Sequence, residues 1–226
     1  MKKTKKYQEA LKKIDKSKKY SIDEALTLLP ELSLSKFAGS LEVEILLNVK
    51  EKQKKEIIKG SYTLPNQFGE SVKILAFVDP ANQTKAKDAD VSGGEELIEK
   101  VEKGEVDYDV VVATPAMMPK IAKLGKTLGT KGLMPNPKNG TVTDDIEATI
   151  AKFKSGTKNF ASKEGGKLTA IFAKSDMSAE KIKENFDALY KAVRPEMRNF
   201  GAEPIKSIKM KPTMGPAISV DPKSLD

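Results

Sequence analysis

Gly125-Lys126-Thr127 matches the last three residues of a phosphate-cradling loop, in which glycine backbone N–H groups and a lysine hold a nucleotide's phosphates. That loop needs another glycine at position 120, and Lys120 stands there, so the match fails. Ser92-Gly93-Gly94-Glu95 offers backbone N–H groups at a helix start, but it reads better as an N-terminal cap, since no G-x-G-x-x-G follows a strand. Asp107 and Asp109 flank an apolar run, and Asp144-Asp145 sit where a helix opens, where carboxylates favour the helix dipole. The chain has no Cys and no His, which removes thiol chemistry, the usual general base and the commonest transition-metal ligand. These residues predict no catalytic residues, no metal, no cofactor and no enzyme.

What remains suits nucleic acid. Lys36-Phe37 precedes Ala38-Gly39-Ser40, and a Phe beside a lysine in such a loop stacks on a base or ribose, or else anchors the loop in a core. Lys206, Lys209 and Lys211 lead into Pro212-Thr213-Met214-Gly215-Pro216. That turn offers backbone N–H groups, a hydroxyl and a Met between two prolines, a rigid surface suited to reading RNA shape, or an ordinary turn. A third segment is stiffer still. In Gly132-Leu133-Met134-Pro135-Asn136-Pro137-Lys138-Asn139-Gly140-Thr141-Val142 two prolines fix φ, Asn139-Gly140 supplies a turn, and Lys131 and Lys138 stand at the shoulders.

The 226 residues are 38% hydrophobic and 32% charged, with a net charge of +8. A basic, soluble chain favours nucleic acid or an anionic membrane as partner. Of the basic residues only Arg194 and Arg198 are arginine, and lysine suits phosphate better than bidentate base reading. The charged start lacks the apolar run of a signal peptide, and no stretch approaches the ~20 apolar residues of a membrane span, so the chain reads as cytosolic.

Helices are expected around Tyr7, Leu11 and Ile14; from Ser21, with Glu24 completing a capping box, to Leu29 before Pro30; and over Lys50–Lys59, packed by Ile57 and Ile58. Leu41, Val43, Ile45, Leu47 and Val49 alternate with Glu42 and Glu44 at the start, a strand with one wet face. Val72–Val78, mostly apolar, and Asp109–Pro115 are short apolar runs that suit buried parallel strands. Helices are expected from Glu95 to Val101, after Pro115 through Met118, Ile121 and Leu124, and from Asp144 through Ile146, Ile150 and Phe153. Beyond these, Lys167–Lys174 reads as a strand and Ser178 caps a helix carrying Ile182, Phe186, Leu189 and Val193. Ile205–Met210 alternates, and Ile218–Val220 closes an edge.

Charge divides the chain in the same places. Residues 1–67 carry 15 Lys against 9 acids, 68–159 carry 13 against 14, and 160–226 carry 12 basic residues against 9 acids. The basic excess therefore lies in the two ends. We expect 1–67 plus 160–226 to form one α+β domain interrupted by a nearly neutral α/β domain, 68–159, that contains the stiff 131–142 segment.

The 131–142 segment, with Thr213-Met214-Gly215-Pro216, resembles the bacterial large-subunit ribosomal protein L-one family over essentially the whole length. Lys36-Phe37, Leu41-Glu42-Val43, Leu64-Pro65, Gly93-Gly94-Glu95-Glu96-Leu97, Ala113-Thr114-Pro115 and Lys123-Leu124-Gly125 add to the likeness. The resemblance implies a discontinuous first domain (a split β-α-β unit with an antiparallel sheet) and an inserted Rossmann-like three-layer second domain. It implies a non-enzymatic, cytoplasmic, ribosome-associated protein, monomeric when free and without membrane contact. The implied partners are large-subunit ribosomal RNA at the mobile stalk, exit-site tRNA whose movement and release the stalk assists, and the protein's own operon mRNA, whose translation it represses. The family's RNA contacts map to Phe37, Thr213, Met214 and Gly215, with Lys36, Ser40 and Lys174 as neighbours. The chain departs from the family pattern at Ala38-Gly39 for Asp-Glu, Asn66-Gln67 for His-Gly, Ala161 for Arg, Thr169 for His and Ala173 for Gly.

Overall fold

The computed structural model describes residues 4–15, 17–50, 57–69, 72–79, 83, 86–201 and 203–225. The chain folds as two compact units, Met1–Phe68 with Phe160–Asp226, and Gly69–Asn159.

In the first unit, α1 (Lys5–Lys12) buries Ala10. In α2 (Ile22–Leu28) the expected capping box forms: Glu24 N–H donates to Ser21 Oγ at 3.3 Å, and Ser21 N–H donates to Glu24 Oε2 at 3.4 Å. Pro30 stops the α-helix, and a 3-10 turn, Pro30–Leu32, carries Leu32 into the core. β1 (Ser40–Leu47) buries every second residue, with Leu41, Val43, Ile45 and Leu47 inward and Glu42 and Glu44 on the other face.

β1 pairs antiparallel on both sides, with β7 (Lys167–Lys174) and β8 (Ile205–Pro212). Adding β2 (Lys59–Thr63), β6 (Thr157–Lys163) and β9 (Ile218–Val220), the sheet has six strands among the described residues, in the order β2-β6-β7-β1-β8-β9. α7 (Ala179–Met197) buries Ile182, Phe186, Leu189 and Val193, and Phe186 meets Phe172 of β7 edge-on at 5.6 Å. Ser178 stands at the N-cap position with extended backbone, but its side chain makes no capping bond.

The helix expected over Lys50–Lys59 is corrected in part. Residues 51–56 lie outside the described ones, Ile57 and Ile58 are not helical, and Lys59 opens β2. Ile58 is tied to β6 instead: its N–H donates to Ser162 Oγ at 2.9 Å, and its carbonyl accepts from Ser162 N–H at 2.8 Å. β2 gives little sequence signal because Tyr62 is its one fully buried side chain. Gly60 faces the Phe160 ring, where an added Cβ would stand 2.7 Å from Cζ.

In the second unit β3 (Ile74–Phe77), β4 (Val91–Gly93) and β5 (Val110–Ala113) form a parallel sheet ordered β4-β3-β5. Leu75 and Phe77 pack with α3 (Glu95–Glu102), α4 (Met118–Ile121) and α5 (Gly125–Thr130). Ile74, Ala76 and Val78 pack with α6 (Ile146–Lys154) on the opposite face. With both faces covered, β3 is buried throughout, which is why it reads as an uninterrupted apolar run. Gly125-Lys126-Thr127 is the first turn of α5, not a phosphate loop. The cap of α6 is Asp145 rather than Asp144, accepting from Ala148 N–H at 3.4 Å.

The 131–142 segment is fixed by its own turn and by a bridge to the end of β5. Gly132 and Gly140 have φ of +71° and +68°, which glycine adopts freely. Asn136 N–H donates to Thr141 Oγ1 at 2.8 Å, Ala113 N–H donates to Thr141 O at 2.9 Å, and Thr143 N–H donates to Ala113 O at 3.1 Å. Leu133 and Met134 pack on the core that α3, α4 and α5 share. The stiffness of this segment thus serves the packing of its own unit.

Candidate nucleic-acid interface

At one end of the six-stranded sheet, the loop before β1, the last residues of β7 and the turn after β8 converge. Ser40 stands opposite Lys174, and Leu41 opposite Pro212. The 213–215 turn is bonded twice to the loop and start of β1: Thr213 N–H donates to Ser40 O at 2.9 Å, and Leu34 N–H donates to Met214 O at 3.0 Å. Gly215 packs against the 3-10 turn, where an added Cβ would lie 2.6 Å from the Leu32 carbonyl oxygen and 2.9 Å from Pro212 Cγ. Here glycine is required by space, since its φ is not positive.

The loop is held by short polar links. Ser33 Oγ and Ser35 Oγ are 2.9 Å apart, and Ser35 Oγ donates to Phe37 O at 2.8 Å. Gly39 N–H donates to Ser175 Oγ at 3.0 Å, and Ser175 N–H donates to Gly39 O at 2.9 Å. An added Cβ at Gly39 would stand 2.9 Å from Ser35 Oγ and 3.1 Å from Ser33 Oγ, so the loop packs closely around this glycine.

On this fixed backbone two large apolar side chains face solvent. Phe37 is 72% exposed and Met214 62% exposed. Phe37 is therefore not a core anchor, the alternative that its sequence context left open. Lys36 and Thr213 are exposed beside them, and Ser40, Lys174 and Gly215 are half-buried. The structure brings all seven expected residues to one end of the sheet.

Two further residues organise this end, and neither stood out in the sequence. Glu42, 13% exposed at its side chain, accepts from the Thr213 hydroxyl on one carboxylate oxygen and lies 3.3 Å from Lys211 Nζ on the other. One carboxylate thus orients the turn's hydroxyl and its preceding lysine. The signal was present as an acid on the wet face of β1, but its partners come from residues far along the chain.

The second is Asn185 of α7, fully buried. The β1–β7 register slips between Leu41 and Glu42, so that Phe172 is an extra residue, a β-bulge. The slip turns Ala173 inward next to Phe172 and leaves Lys174 half-exposed opposite Ser40. Bulged residues lose ladder partners, and Asn185 Nδ2 supplies one, donating to Phe172 O at 3.0 Å. The same Nδ2 donates to Asn66 O at 2.8 Å, and Asn185 Oδ1 accepts from Asn66 N–H at 2.9 Å. Ala161 and Thr169 are exposed on β6 and β7.

Among the described residues no helix is long and apolar enough to cross a membrane, and no group of acidic side chains is placed to hold a metal ion.

Comparison with known proteins bears on the same residues. The model of the Ribosomal protein L1p/L10e family matches residues 6–216. Large ribosomal subunit protein uL1 of Lactobacillus johnsonii is 42% identical over 98% of both chains. The uL1 protein of Borrelia hermsii is 42% identical over 96% of this chain and 97% of its own. That of Streptococcus thermophilus is 39% identical over 99% of each. These relatives are named as ribosomal proteins and not as enzymes. The chain belongs to the Ribosomal protein L1p/L10e family.

Proposed function

We propose that this chain is a structural constituent of the large ribosomal subunit whose first unit binds large-subunit ribosomal RNA through the 33–40 loop, Lys174 and the 213–215 turn. In this reading it sits in the cytoplasm on the ribosome's mobile stalk and assists tRNA movement and release at the exit site. It also represses its own operon mRNA by the same surface, and it is a monomer when free.

The observation that carries the RNA reading is the pair of exposed apolar side chains, Phe37 and Met214, on backbone locked by the Leu34–Met214 and Thr213–Ser40 hydrogen bonds. Leaving such side chains in water is unfavourable by an amount that a stacked base or ribose recovers, and rigid backbone beneath them removes the ordering cost of binding. Lys36 and Lys174 add a phosphate term that weakens with salt.

Thr213→Ala is expected to weaken binding to a ribosomal RNA fragment by up to roughly tenfold, because the hydroxyl, its proton held by Glu42, is left to accept one hydrogen bond from a ribose hydroxyl or base amino group. Met214→Asp, which replaces an apolar contact with a charge that repels phosphate, is expected to weaken it more, by about 30-fold or beyond. Filter binding measures both, with circular dichroism confirming the fold. Wild-type affinity in both folded variants would refute this site. Pro137→Ala in the second unit serves as control and leaves that affinity unchanged.

Glu42→Gln keeps the shape and removes the charge that orients Thr213 and Lys211. A loss of about fivefold is expected in the wild-type background and little in Thr213→Ala, because the two residues act as one unit. Additive losses in that double-mutant cycle would show that Glu42 does not act through Thr213.

A further inference from the structure

The chain's only two arginines, Arg194 and Arg198, fall one helical turn apart at the end of α7 and open onto a single cavity of about 420 Å³ in the first unit. The cavity lies at the end of the sheet opposite the 213–215 turn. Ile205, which begins β8, lines it, whereas Pro212 at the other end of that strand adjoins the turn. Its volume is within the range of pockets that enclose a small organic ligand.

The lining has two characters. Tyr190 and Pro204 supply an aromatic and apolar wall over the buried Met197, and Tyr190 is itself stacked on Phe186 with ring centroids 6.3 Å apart, which fixes its plane. At the mouth Arg194 and Arg198 are joined by Lys19 and Lys223. A helix C-terminus carries about half a negative charge, so one cation would answer the dipole of α7. Four cations converge here. Two carboxylates, Glu203 and Asp221, share the lining, so its cations exceed its acids by two.

We infer that this cavity binds one phosphate-bearing nucleotide unit, its base against the Tyr190 ring and its phosphate on the arginine forks. Guanidinium groups present planar paired donors that match phosphate oxygens, which a lysine ammonium does not. In a chain that uses lysine for almost every other basic position, two adjacent arginines mark a place where that geometry counts. The nucleotide is either free in solution or an unpaired residue of an RNA strand, and both offer the same base and phosphate chemistry. The inference does not depend on the RNA reading of the 213–215 turn.

The test is titration of the full chain with adenosine, guanosine and uridine 5′-monophosphates, inorganic phosphate and the unphosphorylated nucleosides, followed by calorimetry and by Tyr190 ring resonances. Saturable binding of at least one nucleotide is expected, at least tenfold tighter than inorganic phosphate or its nucleoside. The charge-preserving Arg194→Lys/Arg198→Lys pair, at exposed positions that leave the fold intact, should weaken it at least fivefold, whereas Thr213→Ala should not change it. A six-residue single-stranded RNA that displaces the nucleotide and binds more tightly identifies an RNA residue as the natural occupant, and failure to displace identifies the free nucleotide. Absence of saturable binding, inorganic phosphate binding as tightly as any nucleotide, or full affinity in the double-lysine variant overturns the inference.

Discussion

Gly215→Ala is expected to cost ribosomal RNA affinity roughly 100-fold, about 2.8 kcal/mol at 1.4 kcal/mol per tenfold, more than removing any exposed side chain of the same turn. One methyl group has this effect because of what surrounds it. The new Cβ would lie 2.6 Å from the Leu32 carbonyl oxygen and 2.9 Å from Pro212 Cγ. Neither neighbour yields: Leu32 is fully buried at the end of its 3-10 turn, and Pro212 is held in β8 opposite Leu41. The turn must move outward, which breaks the bond from Leu34 N–H to Met214 O and takes Thr213 off the Glu42 carboxylate. Every contact group of the turn is displaced together. Mobility-shift titration with a ribosomal RNA fragment reads the loss. Gly129→Ala in α5, where an added Cβ meets nothing within 4 Å, is the matched control and leaves binding unchanged. Wild-type affinity in folded Gly215→Ala would show that the turn is not where RNA is held.

The second large effect is on stability. Asn185→Leu is expected to destabilise the first unit by about 2–4 kcal/mol, since three backbone groups, one buried and two half-buried, lose their partner at once and a buried unsatisfied group costs about 1–3 kcal/mol. Those groups are Asn66 N–H, Asn66 C=O and Phe172 C=O. Leucine fills a similar volume, so the loss measures hydrogen bonding and not a cavity. Urea denaturation followed by a probe in the first unit checks it. A midpoint within error of wild type would mean that the amide is dispensable. Because Asn185 holds the bulge that places Lys174 opposite Ser40, the folded fraction of the variant should also bind RNA more weakly.

Elements that stand on one buried face were legible from the residues alone. β1 alternates because its inward side packs on α2 and α7, and α7 shows its face through Ile182, Phe186, Leu189 and Val193. β2 and β4 were not legible. β2 buries Tyr62 alone, with Gly60 yielding to the Phe160 ring, and β4 is a three-residue strand of Val, Ser and Gly. The seven site residues were read from motif resemblance, and physical chemistry alone left Phe37 divided between contact and core until its exposure was seen. Glu42 and Asn185 escaped notice for one reason. An acid on a wet strand face and an amide on a helix are ordinary residues until register and tertiary packing deliver Thr213, Lys211, Asn66 and Phe172 to them.

β1 lies in the middle of its sheet, yet both of its neighbours come from the far side of the second unit: β7 begins at Lys167 and β8 at Ile205. During synthesis at about 5–20 residues per second, β1 therefore waits roughly 10–30 s for β8, while the second unit, continuous in sequence, is free to fold first. The 213–215 turn is made later still, so an incomplete nascent chain carries the Phe37 loop without the turn it is bonded to. The proposed RNA surface is assembled only once the 213–215 turn has been made, which ties the onset of binding to the emergence of that turn rather than of the Phe37 loop.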